Sequence, residues 1–229
     1  MQTENEIVSI TFFEYPKRNR WWAFNQMQLA IAPLKKARGV KFFKLMGTGG
    51  GSGFSLKPDL KTYALLMVWE NQDFAKNFTT SDAYLRFNQQ CKSNFTYWMQ
   101  CIQSHGTWHS QQPFSPMDKK ATGPVMVITR ARLKWSKVLR FLTQVPAGSR
   151  AAAGAEGLIY TKGIGEWPAI EQATFSYWKN QQFMENFAYQ SAHRDIVRKV
   201  KKEHWYQEEL FARFVPVSLD QSQAASPRS

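Results

Sequence analysis

Four histidines, two cysteines and one glycine run are the parts of this 229-residue chain whose residue types and spacing could do chemistry. In QSAHRDIVRKV (190–200) and the residues after it, His193, Ile196, Val197, Val200 and His204 recur at the three- and four-residue steps of one helical face. Arg194, Asp195, Arg198, Lys199, Lys201 and Lys202 fall elsewhere. An imidazole on an apolar stripe either makes a hydrogen bond in the core or holds a metal ion, and the pattern alone leaves both open. His204 shares that face, but eleven residues of helix would put it roughly 16 Å away, too far for the two rings to take one ion. HGTWH (105–109) has the four-residue spacing of a helical metal pair. Gly106 weakens a helix there and no carboxylate accompanies the pair, so both histidines are expected in a loop. Cys91 and Cys101, ten residues apart, match no zinc or redox spacing and are expected to be inert packing residues. In GTGGGSGF (47–54) the third glycine of a G-x-G-x-x-G motif would fall on Ser52, and no Gly-Lys-Ser/Thr follows. That run therefore reads as a connection between strands. Asp195, Glu208 and Glu209 form no paired-carboxylate acid–base site.

Such residues need a scaffold, and the composition allows a sizeable one: 43% of residues are hydrophobic and 21% charged, as in a globular chain. No apolar run approaches the roughly 20 residues that span a bilayer. MQTENEIVSITFF carries acids where a secretory leader carries bases, which predicts a cytoplasmic protein, and two cysteines fit a reducing compartment. The net charge of +13 predicts an anionic partner: nucleic acid, anionic lipid, an acidic electron-transfer protein or cofactor carboxylates. No helix-turn-helix, zinc-finger or paired-RNP pattern is present, which weighs against nucleic acid.

The chain consists of two related halves. WENQDFAKNF begins at Trp69 and WKNQQFMENF at Trp178, with Trp69/Trp178, Asn71/Asn180, Gln72/Gln181, Phe74/Phe183, Asn77/Asn186 and Phe78/Phe187 all separated by 178 − 69 = 109. Upstream, KFFKLMGTG (41–49) lies against GLIYTKGIG (157–165) and IVSIT (7–11) against VMVIT (125–129). Each half reads as strand (7–13; 124–131), helix (18–37; 134–146), strand (40–47; 157–163), strand (62–70; 171–178), helical segment (71–97; 180–209) and strand (98–104; 211–217). This is an α+β chain of tandem ferredoxin-like βαββαβ repeats, expected to pack as a dimeric-type α+β barrel within one chain. The expected divisions are 1–118, 119–218 with the candidate ligand His193, and a disordered tail at 219–229. The interval of 109 sets His193 against Tyr84, so the halves differ at an inward position.

SITFFEY, RWWAFNQMQLA (20–30), GVKFFKLMGTGGGSGFSLKP (39–58), YALLMVW (63–69), GTWHSQQPF, VITRA (127–131), KGIGEWP (162–168), ATFSYW (173–178), AHRDIVRKV (192–200) and WYQEELFARF (205–214) resemble the spheroidene monooxygenase family over roughly 8–215. The chain departs at Met46, where relatives carry cysteine, which argues against a thiolate ligand at that turn, and at His109. The resemblance implies a haem iron enzyme that hydroxylates an allylic carbon, C-2, of an acyclic carotenoid and oxidises it to a ketone. Dioxygen and a reduced ferredoxin-type donor would be its other partners, with peripheral membrane contact. It also implies His193 as the axial ligand. Arg130, Lys44 and Lys162 are then candidate partners for the haem propionates, since a buried carboxylate needs a charged donor. Trp22, Phe24 and Phe54 are candidate substrate-lining residues. A haem or apolar-ligand binder on the same scaffold, including a dehydratase or a haem-degrading enzyme, is the alternative.

Overall fold

Ile7–Glu14, IVSITFFE, is rich in β-branched and aromatic residues that suit a pleated strand, and it is buried on both faces. Burial on both faces fits a strand with one side in a barrel and the other beneath helices. In the computed structural model, which describes residues 6–50, 58–138, 140, 154–167, 170–190 and 203–219, this segment is β1. The first half continues with α1 (Arg20–Leu29), α2 (Ile31–Lys35), β2 (Val40–Gly49), β3 (Pro58–Trp69), α3 (Gln72–Phe78), α4 (Asp82–Gln90) and β4 (Ser93–Gly106). In the second half, β5 (Val125–Leu133), β6 (Leu158–Trp167), β7 (Glu171–Trp178), α5 (Gln181–Gln190) and β8 (Tyr206–Pro216) follow.

The eight strands close into one antiparallel barrel in the order β1-β3-β2-β6-β7-β5-β8-β4. Closure gives every strand a neighbour on each side, which removes most of the free edge an open sheet would present. Within it each half repeats the same strand order, β4-β1-β3-β2 and β8-β5-β7-β6, and the halves join at β2–β6 and β4–β8. Inward residues of all eight strands, among them Ile10, Phe12, Leu66, Met99, Ile128, Phe175 and Phe214, form one core. A second core lies between the first half's sheet and its helices.

The residues shared by the halves have structural work in both. Gly39 and Gly157 adopt φ of +73° and +75°, and each lies under a phenylalanine, Phe74 or Phe183. Their carbonyls accept from Glu70 and Lys179. Asn71 Oδ1 accepts from the backbone N–H of Asp73 and Phe74, and Asn180 Oδ1 from that of Phe183 at 3.0 Å, capping α3 and α5. Trp69 packs on Phe78 and Trp178 on Phe187.

Three expectations change in detail. Pairing sets Val40 and Leu158 at equivalent places, opposite Trp69 and Trp178, so the second strands correspond at an interval of 158 − 40 = 118. The sequence alignment of KFFKLMGTG with GLIYTKGIG was two residues short. The segment 71–97 is not one helical stretch: the backbone breaks after Phe78, Ser81 Oγ caps α4, and β4 begins at Ser93. Phe95, Tyr97, Met99 and Cys101 alternate toward the interior, a two-residue period in a segment otherwise read at the helical period. β8 likewise begins at Tyr206, and His204 sits at φ 52° in the turn before it, not on a helix with His193. His193 itself and the tail from 220 onward lie outside the described residues, while Leu219 is buried against the first-half core.

A Cβ on Gly39 would come within 2.2 Å of the Phe74 ring on a left-handed backbone. Gly39→Ala is therefore expected to lower unfolding free energy by about 1–3 kcal/mol or more in urea titrations, and Gly157→Ala by a similar amount.

Candidate functional site

Inside the barrel, one end is aromatic and the other ionic. At the aromatic end Phe12, Phe95, Tyr97, Tyr160 and Phe175 pack ring against ring, at centroid distances of 4.9–6.2 Å. Burial pushes the Tyr97 phenol up to about 12, so it stays protonated. Met46 is fully buried in the same interior. Cys101 donates to the Gln103 carbonyl, and burial pushes its thiol up to about 12 as well. Phe12 and Phe175 are fully buried there, while Phe95, at 42% exposure, reaches the mouth of the barrel.

The ionic end is built on the link HGTWH. Trp108 is buried, its Nε1 donates to Glu166 at 2.8 Å, and the Arg130 guanidinium lies 5.4 Å from its ring centroid. His105 is on β4, stacked on Phe211. His109 and Ser110 take left-handed backbones, φ 51° and 62°, an unusual pair of non-glycine positions held by the contacts around them. Their two N–H groups, Thr107 Oγ1 and Arg130 Nη1 all donate to the Glu208 carboxylate. Burial alone would raise that carboxyl, but these donors outweigh it and hold it at about 2, below its ordinary 4.5. Lys44 Nζ can only donate to His109 Nδ1, at 2.8 Å, which leaves Nε2 to donate to Glu171 at 3.0 Å.

His109, Glu166 and Glu171 bring three potential ligand atoms within 4.8 Å of one another. Lys44 pairs with Glu166 at 2.9 Å, and Arg130 and Arg132 each lie 3.4 Å from Glu171. With Glu208 bound to Arg130 as well, three carboxylates already face three cations, and a divalent ion would have to displace them. The cluster is an ion network that closes the barrel. Two of its neighbouring pairs bridge the halves: Lys44 on β2 reaches Glu166 on β6, and Lys162 on β6 reaches Asp59 on β3 at 3.1 Å. The three candidate propionate partners thus point into the barrel and are paired there with carboxylates.

The outer face of the second sheet differs from that of the first. Register makes Phe13 equivalent to Ala131, Tyr63 to Gln172, Leu65 to Thr174 and Met67 to Ser176. By the same pairing Phe43 corresponds to Thr161 and Leu45 to Gly163. In the first half these large side chains pack beneath α1–α4. On the second sheet, among the described residues, Val125, Val127 and Trp178 pack with Phe183, Met184 and Phe187 of α5. Thr129 is exposed where its counterpart Thr11 is buried. Among the described residues the buried Thr174 Oγ1 has no hydrogen-bond partner, and Trp178 Nε1 donates to Ser176 Oγ, leaving that hydroxyl its own hydrogen to give. Arg213, at the place of Trp98, brings a cation to this face, 3.5 Å from Glu185. Sequence reasoning passed over these positions, although the interval of 109 that pairs the tryptophans also pairs Leu65 with Thr174 and Met67 with Ser176.

Trp22 and Phe24 do not converge. Trp22 packs on Tyr15 and Phe87 beneath α1, while Phe24 faces solvent and stacks on Trp21; Phe54 lies outside the described residues. One open cavity of about 630 Å³ is lined by Ile102, Lys119, Lys120, Gln181 and Arg213 among others, on the side of the barrel where β4 and β8 pair.

Because the Glu208 carboxyl is depressed in the folded protein, its contribution to stability is complete above about pH 4.5 and is lost as pH falls toward about 2. Glu208→Gln is expected to lower the urea midpoint at neutral pH, and the gap from the unmodified protein should narrow over that acid range.

No family model matches the chain. Among curated proteins it is 31% identical over 217 residues to spheroidene monooxygenase of Cereibacter sphaeroides, covering 91% of this chain and 66% of that protein. It is 31% identical over 214 residues to the Rhodobacter capsulatus spheroidene monooxygenase, covering 91% of this chain and 89% of that one. The Rubrivivax gelatinosus protein of the same name is 25% identical over 216 residues, covering 94% and 84%. Among solved structures, an aldoxime dehydratase superposes with a TM-score of 0.61 at 8% identity, over 95% of this chain and 83% of that one, a likeness of fold alone. With the Rhodobacter capsulatus identity running through nearly nine tenths of that relative, this chain belongs to the spheroidene monooxygenase family.

Proposed function

We propose that the protein is a haem-dependent monooxygenase that introduces a hydroxyl and then a keto group at C-2, an allylic carbon, of an acyclic carotenoid such as spheroidene. The observation that carries this reading is the small-residue outer face of the second sheet, where six large first-half side chains have small or polar counterparts. Membership of the family supports the substrate class. In this reading the chain is two tandem ferredoxin-like repeats, 1–118 and 119–218, and the second holds a cofactor on the outer face of its sheet.

A haem needs a flat apolar berth, an axial ligand and cations for two carboxylates. The missing side chains offer the berth, and Arg213 offers a planar cation on the same face. Arg130, Lys44 and Lys162 are engaged on the opposite face of the sheet, which favours Arg213 over them. His193 follows three residues after the end of α5. Tyr84, its counterpart by the interval of 109, packs on Phe13 and Phe78 over the first sheet, and the counterparts of those two are Ala131 and Phe187. That relation supports His193 as the axial ligand above the small-residue face. When bound, haem supplies dioxygen activation. Thr174 and Ser176 place hydroxyl donors beside the berth, where they orient polar reactants and hand on protons. The polyene has only apolar surface to offer, worth about 0.8 kcal/mol per buried methylene.

Each oxygenation consumes one dioxygen, two electrons from a reduced ferredoxin-type donor and two protons; one oxygen atom enters a C–H bond and the other leaves as water. A second oxygenation at the same carbon gives a geminal diol, which loses water to leave the ketone. The fold likeness to an aldoxime dehydratase keeps a second reading in play: a haem or apolar-ligand protein on this scaffold, including a dehydratase or a haem-degrading enzyme, without carotenoid oxygenase activity.

The purified protein is expected to show a Soret band that His193→Ala abolishes; a normal haem spectrum in that variant would overturn the ligand assignment. Thr174→Leu with Ser176→Met, which restores the first-half residues, should lower haem content while the urea transition is kept. Incubation with reduced ferredoxin, dioxygen and spheroidene should give an alcohol heavier by one oxygen atom and then a ketone that keeps that oxygen and has lost two hydrogens, whereas haem without these products would favour the second reading.

A further inference from the structure

α1 is apolar on both sides, and the sheet can cover only one. Ala23, Gln26 and, beyond the helix, Ala30 and Leu34 are buried against the first half. On the other side Trp21 is 72% exposed, Phe24 53%, Leu29 65% and, at the start of α2, Ile31 40%. A helix face turned to water normally carries polar residues. Here Trp21 and Phe24, three residues apart, stack at 5.7 Å in the open.

The chain on either side of this patch is basic. Lys17 and Arg18 precede α1, Lys35 and Lys36 close α2, and all four are exposed. No Asp or Glu occurs between Glu14 and Asp59. Among the described residues no carboxylate pairs with these four cations. Exposed tryptophan, phenylalanine and leucine ringed by unpaired Lys and Arg are complementary to a surface with apolar depth and an anionic rim. An acidic protein would satisfy the charges but leave the four apolar side chains in the contact without partners, whereas a bilayer interface accepts both. Among the described residues no helix is long and apolar enough to cross a membrane, so contact through this patch is peripheral.

We infer that the exposed face of α1 and α2 docks the protein on an anionic lipid bilayer, with Trp21, Phe24, Leu29 and Ile31 entering the interface and Lys17, Arg18, Lys35 and Lys36 on the headgroups. The inference deepens the proposed function, resting on it only for the lipid-soluble substrate that a docked enzyme would draw from the membrane. Vesicle binding requires neither haem nor turnover, so the two readings fail separately.

The full chain is sedimented with vesicles of phosphatidylcholine alone or of equimolar phosphatidylcholine and phosphatidylglycerol. Binding is expected only with phosphatidylglycerol, and Trp21→Ser with Phe24→Ser should weaken it by about tenfold or more although the basic residues remain. Both side chains face solvent, and an unchanged urea transition confirms that the variant is folded. Absence of binding to the anionic vesicles, or binding that the double variant retains in full, overturns the inference; retained binding that added salt removes would mark unspecific attraction by net charge. Capture of an acidic ferredoxin through the same four cations, without vesicle binding, overturns it as well.

Discussion

A closed eight-stranded sheet encloses room for little more than its own side chains, and that limit organises this molecule. Rings fill one end of the lumen and a balanced set of carboxylates and cations fills the other. Arg130 belongs to that set: it is buried over Trp108 and bound to Glu208.

Two copies of one unit offer a comparison within a single chain. The tryptophan, asparagine, phenylalanine and left-handed glycine that set strand, cap and helix position are kept in both. Side chains that pack under the helices of the first copy, such as Phe13, Leu65 and Met67, stand at register positions taken by Ala131, Thr174 and Ser176 in the second. Positioning elements and filling elements thus vary independently between the two halves.

Much of the architecture was legible in the sequence, because the alternation of strands and the repeated Trp-x-Asn-x-x-Phe pattern are local signals. The break at Thr79–Ser81 and the early start of β4 were not, since a polar-rich amphipathic helix and a strand with aromatic alternation look alike over a short window. The ionic partners of Lys44 and Lys162 lie 122 and 103 residues away in the chain, and no spacing rule reaches them. The small-residue face was present in the aligned halves but invisible until pairing told inward from outward positions, as a shift of one residue exchanges the two faces.

The two seams between the halves are unequal. β4 and β8 pair from Met99–Pro216 to Gly106–Leu210, whereas among the described residues β2 and β6 meet at Gly47–Gly165 and Thr48–Ile164. The cylinder is bound like a book, with a long spine and a short clasp fastened by Lys44–Glu166 and Lys162–Asp59. Backbone amides near the clasp should be the first in the barrel wall to trade their hydrogens with solvent, and the leaves should part there well before the spine gives way.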